Sequence, residues 1–161
     1  MKKVFAVVLL SLIATATLVA QTGTTSNVVS WRSINGVITA PATSNPVGGI
    51  DSGSSPWTTT GGFAFVNLMT GDVVFSVEGL VLNGGNASGT PGPVTNVAGA
   101  LVCNASSSPT VTETSPVALS AQGNASFSGT LSSPPSACTN PIFLIRVPGG
   151  PWIATGAVRA P

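Results

Sequence analysis

The chain has 161 residues with five Lys or Arg, four Asp or Glu, and neither histidine nor tyrosine. Lys2 and Lys3 are its only lysines, so from residue 21 onward Arg32, Arg146 and Arg159 face Asp51, Asp72, Glu78 and Glu113, a formal net charge of −1. That balance leaves no basic footprint for nucleic acid. It also leaves no histidine or lysine to activate a serine or threonine nucleophile.

Met1-Lys2-Lys3 is a short basic start. Val4 to Ile13 is apolar apart from Ser11, and Ala14 to Ala20 turns to small residues. This is the pattern of a secretory signal peptide over residues 1–20, with a cut after Ala20 or at the better Ala14-x-Ala16 match. The competing reading is a retained membrane anchor, because Val4 to Ala20 is uncharged and near the lower length limit for a spanning helix. Residues 21–161 then form one domain, secreted or periplasmic, with no membrane contact once the signal is removed.

Helix signals are almost absent beyond residue 20, since glycine, proline and β-branched residues interrupt every window of helical period. Strands are expected in chain order at Val28 to Ser33 and Asn35 to Ala40, then a long loop from Pro41 to Pro56. Phe63 to Leu68 is apolar on both faces and reads as a covered central strand. Met69-Thr70-Gly71-Asp72 is a tight hairpin turn into Asp72 to Leu80, where Val73, Phe75 and Val77 alternate with polar residues. A glycine-rich excursion, Asn83 to Pro93, leads to strands at Val94 to Cys103 and Thr110 to Leu119, with Pro116 confined to an edge or bulge. Asn124 to Leu131 alternates again. Ile142 to Val147, apolar on both faces, pairs through Pro148-Gly149-Gly150-Pro151 with Trp152 to Arg159. The expected fold is all-β: an antiparallel, immunoglobulin-like β-sandwich or flattened barrel of about 8 to 10 short strands.

Cys103 and Cys138 are the two cysteines. In an oxidising compartment they are expected to form a disulfide. In the chain-entropy model such a loop adds about 4 kcal/mol. Metal ligation competes poorly, for neither a histidine nor a third cysteine is present to complete a tetrahedral site. No metal and no cofactor is expected.

Asp72 and Glu78 share one strand face but stand about 20 Å apart by strand rise, too far for paired-carboxylate catalysis. Asp51 or Glu113 would have to approach from elsewhere. Asp51-Ser52-Gly53-Ser54 lacks the alternating acids of a calcium loop. The Asn83-Gly84-Gly85-Asn86 stretch is not a phosphate loop, since the Gly-Lys-Ser/Thr ending and following helix are missing. The Asn-Ala-Ser triplets at Asn86, Asn104 and Asn124 read as coincidence in a chain whose signal has a bacterial character. Among the tryptophans, Trp152 reads as core, whereas Trp57, at the end of the long loop, is expected to be exposed and able to stack on a sugar ring. Arg146, inside an apolar strand, needs a partner. Glu78 or Asp72 across the sheet is the expected one.

Ile34 to Ile38, Gly61 to Phe65 and Val73 to Leu80, followed by a glycine-rich loop and Val97 to Leu101, resemble the opening strands of chordin-type (CHRD) domains. That resemblance implies a secreted immunoglobulin-like sandwich without catalysis. The family's histidine-containing loop after the strand matching Val73 to Leu80 has no counterpart, so no metal or ligand role transfers from it. The endings Phe143 to Arg146 and Trp152 to Arg159 also resemble those of small exported bacterial proteins without an assigned activity.

The resulting expectation is a secreted, non-enzymatic structural or binding module with no identified partner. One alternative is binding of carbohydrate or another cell-surface polymer through Trp57, Asn83 and Asn86. A second is a hydrolase built on two of the carboxylates. Low charge also favours self-association.

Overall fold

The computed structural model describes residues 27–39, 43–135 and 137–159. The expected signal segment, its cut sites and the polar residues 21–26 lie outside them. The described residues form eleven strands and no helix: β1 (Val28–Gly36), β2 (Trp57–Thr58), β3 (Gly61–Asn67), β4 (Asp72–Glu78), β5 (Val81–Leu82), β6 (Asn96–Cys103), β7 (Thr110–Glu113), β8 (Val117–Ala118), β9 (Ala125–Thr130), β10 (Ile142–Arg146) and β11 (Trp152–Arg159). All the strand pairs are antiparallel. The main sheet runs β7-β6-β10-β11-β1-β3-β4-β9, with β8 also on β6, and β2-β5 is a separate pair.

The first two expected strands are one, β1, and the expected strand at Thr110 to Leu119 is broken into β7 and β8 around Pro116, which has no N–H for a ladder. Both short turns form as expected. Gly71 takes a φ of 77° between β3 and β4, and Pro148 to Pro151 joins β10 to β11.

The sheet curls until its two ends meet. Ser132 N donates to Glu113 O at 2.7 Å, and the Thr112 hydroxyl donates to Ser133 O at 2.7 Å, so the strap after β9 is laced to β7. Inside the curl, Phe143 of β10 meets both Trp31 of β1 and Phe75 of β4 with ring centroids 5.6 Å apart, and Phe75 stacks on Phe127 of β9. Each such ring removed from water stabilises the fold by about 1.5–3 kcal/mol. Gly99 of β6 is the gap these rings fill: a Cβ there would lie 2.8 Å from Phe143 and 2.9 Å from Phe75. This is an antiparallel sheet folded over its own core, a flattened barrel or sandwich with one continuous path.

Two stretches expected to be covered on both faces behave differently. β6 is buried from Val97 to Cys103, and Phe143, Leu144 and Ile145 of β10 are fully buried, so these strands have a second apolar layer outside the barrel. On β3, by contrast, Ala64 and Val66 are buried while Phe63 and Phe65 are 38% and 44% exposed. The expectation of a covered strand at Phe63 to Leu68 is therefore corrected: no segment among the described residues lies over that face.

The disulfide joins Cys103 to Cys138, with Cα atoms 4.8 Å apart. It ties the end of β6 to the segment entering β10, its sheet neighbour. Asn104 continues the tie, as its amide N donates to Thr139 O at 2.9 Å and its Oδ1 accepts from Thr139 N at 3.0 Å.

Candidate functional site

The second layer over β6 and β10 is the long loop, and its local sequence explains how it gets there. Gly48 and Gly49 have φ values of 57° and 81°, the two positive angles that a type I′ turn requires. Val47 and Ile50 close that turn with reciprocal backbone bonds of 2.9 and 3.0 Å. Gly48 also sits so close to β6 that a Cβ would fall 2.3 Å from Val102 Cγ1. Trp152 then pins the loop from below. Its N donates to Asp51 O at 2.9 Å, its O accepts from Gly53 N at 2.8 Å, and its indole Nε1 donates to Asn45 O at 2.8 Å.

This strapping brings Asp51 to the rim of a groove of about 1190 Å³ that runs between the loop, the β10–β11 turn, β7 and the strap after β9. Its polar lining includes Asp51, Glu113, Arg146, Ser115, Thr130 and Ser132, and Ile50, Leu131 and Pro151 supply apolar surface. The Asp51 carboxylate accepts a hydrogen bond from Ser44 Oγ at 2.8 Å.

Arg146 reaches the groove through a bulge in the β10–β11 ladder, where the register shifts between Ile145 and Arg146. Bulges re-aim side chains in this way. Its Nε donates to Gly150 O at 3.0 Å, Nη2 donates to the same carbonyl, and Nη1 donates to Glu113 Oε1. The Arg146 and Glu113 side chains are 12% and 31% exposed. Desolvation of the guanidinium is thus offset by a carboxylate and a carbonyl, as a half-buried charge requires. The expected pairing of Arg146 with Glu78 or Asp72 is corrected. Both lie on β4, four places from β10 in the sheet order, whereas Glu113 of β7 is two places away across the small residues of β6.

Trp57 is also corrected. It is 5% exposed and belongs to the core cluster, so it presents no stacking surface. Trp57 pairs with Leu82 in the β2-β5 ribbon, and Asn83 N donates to Pro56 O at 2.9 Å. Asn83 and Asn86 are exposed in the glycine-rich loop, away from the groove lining. Glu78 lines a smaller groove of about 490 Å³ between β4, β8 and β9, beside Asn124. Among the described residues, no three of His, Cys, Asp and Glu gather to hold a metal ion.

The convergence of Asp51, Glu113 and Arg146 was not legible as a site. One signal pointed toward it, an arginine in an apolar strand followed at once by Pro148-Gly149-Gly150-Pro151, a turn able to present a bare carbonyl. No protein-family model, curated protein or solved structure matches the chain.

Proposed function

We propose that this chain is an exported, non-enzymatic binding module whose groove at the barrel seam takes a neutral, polyhydroxylated polymer such as a cell-surface polysaccharide. The observation that carries this reading is the held Arg146–Glu113 pair sharing one open groove with Asp51. Carboxylates accept pairs of hydroxyl hydrogens, guanidinium N–H groups donate to ring and hydroxyl oxygens, and Ser115, Thr130 and Ser132 can do both. Ile50, Leu131 and Pro151 offer apolar surface to the C–H face of a sugar. Two carboxylates against one guanidinium disfavour an anionic ligand. The groove also exceeds the roughly 300–1,000 Å³ of ordinary small-molecule sites, in keeping with an extended ligand.

Binding fits better than catalysis because neither carboxylate stands free: Glu113 is engaged by Arg146 and Asp51 by Ser44. The disulfide, the signal-like N-terminus and the likeness to chordin-type domains support the export half of the proposal.

The test is a glycan array and calorimetric titration with residues 21–161, disulfide intact. The expected result is binding to neutral polysaccharides that Asp51→Asn removes while circular dichroism stays unchanged. No binding, or binding indifferent to Asp51→Asn and Glu113→Gln, would overturn the groove. Release of reducing ends from the bound polymer, lost in both variants, would instead convert the site into a two-carboxylate hydrolase.

A further inference from the structure

The open side of the barrel carries a second surface that meets the groove only at Thr130. Outward residues on β1, β3, β4 and β9 fall into rows fixed by the strand register. Ser30 lies opposite Phe65, Phe65 opposite Val74, and Val74 opposite Ser128. In the next row Phe63 lies opposite Ser76, and Ser76 opposite Ser126. Phe63 and Phe65 touch with ring centroids 5.4 Å apart, and Val74 beside them is 41% exposed. The centre of the face is therefore apolar, and Ser30, Ser76, Ser126 and Ser128 flank it.

Charge is placed on this face in a particular way. Arg32 is two residues beyond Ser30 on the same side of β1, and Asp72 is two residues before Val74 on the same side of β4. Phe65 is one strand and one row from each, so it stands midway between a cation and an anion. Arg146–Glu113 is the one ion pair among the described residues, so neither Arg32 nor Asp72 is spent on a salt bridge.

From this pattern we infer that the face is self-complementary and that its occupant is a second copy of this chain. A two-fold axis through Phe65 sets Phe65 on Phe65 and lays Arg32 of each copy over Asp72 of the other, with the strands crossing steeply. Such an isologous contact needs only one patch per chain. A net charge of −1 over residues 21–161 offers no long-range repulsion against it. A face four strands wide and three rows deep is small by the standard of permanent interfaces, so the dimer is a weak one in rapid exchange. The groove adjoins this face at its β9 margin, where Thr130 lines it, and a contact centred on Phe65 of β3 carries two grooves in one pair, which gives a bivalent binder.

Sedimentation velocity of residues 21–161, from the micromolar to the millimolar range, tests the inference. The expected result is a sedimentation coefficient rising from monomer toward dimer, and loss of that rise in Phe65→Ser, Arg32→Asp and Asp72→Arg. The double variant Arg32→Asp with Asp72→Arg is expected to regain it, which a merely damaged fold would not do. A monomer at every concentration, association untouched by Phe65→Ser, or a charge swap that fails to restore it would each overturn the proposal. Groove binding is measured separately on the Phe65→Ser monomer, so failure of one reading does not touch the other.

Discussion

The two broad outer faces of the barrel are made of similar strands but meet different fates. Over β6 and β10 the loop lies down, Trp152 anchors it, and apolar residues on both sides of the sheet are buried. Over β3 and β4 nothing among the described residues lies down, and Phe63, Phe65 and Val74 stay at the surface. What separates them is not strand composition but what the chain sends back across each face. The side that receives a loop can hold a mostly buried charge and a groove; the side that does not retains an apolar patch at its surface.

Trp152→Ala attacks the covered face at its anchor. It removes a buried indole together with the Nε1 bond to Asn45 O. A loss of about 3–5 kcal/mol in urea unfolding is expected, with Asp51 released from the groove and ligand binding lost. Reducing the Cys103–Cys138 bridge comes next, since it ends the same covered strand. A loss of about 2–5 kcal/mol is expected, read as a lower urea midpoint in reductant. Breaking the ion pair with Glu113→Leu leaves Arg146 one partner short. Because Glu113 is 31% exposed, the cost is set well below that of a fully buried pair, at about 1–2 kcal/mol. The double variant Arg146→Met with Glu113→Leu is expected to recover part of that loss. At the small end, Phe65→Ser on the open face is expected to cost about 1 kcal/mol, for the ring is 44% exposed but touches Phe63, while abolishing self-association. If Phe65→Ser instead costs as much as Trp152→Ala, the two faces do not differ as described.

The same contrast sorts what the sequence showed from what it hid. Local chemistry was readable: Gly71 and the Pro148 to Pro151 turn made their hairpins, Pro116 broke its strand, and the cysteines paired. Long-range coverage was not. Phe63 to Leu68 and Ile142 to Val147 are alike in composition, yet only the second is covered, because coverage depends on where residues 43–56 come to rest. Trp57 likewise looked exposed amid serine and threonine, but its two-residue strand pairs with β5 and carries the ring inward. Arg146 announced its need for a partner without naming it, since strand order decides which carboxylate is within reach.

The last strand, β11, is not at an edge of the sheet but between β10 and β1, with Trp31 opposite Arg159. A chain emerging amino end first can form the β3–β4 hairpin early, yet β1 has no second neighbour and β10 no hairpin partner until β11 arrives. Closure of the sheet therefore waits on β11. A truncation that removes β11 would cost not one strand but the join between the two halves of the barrel.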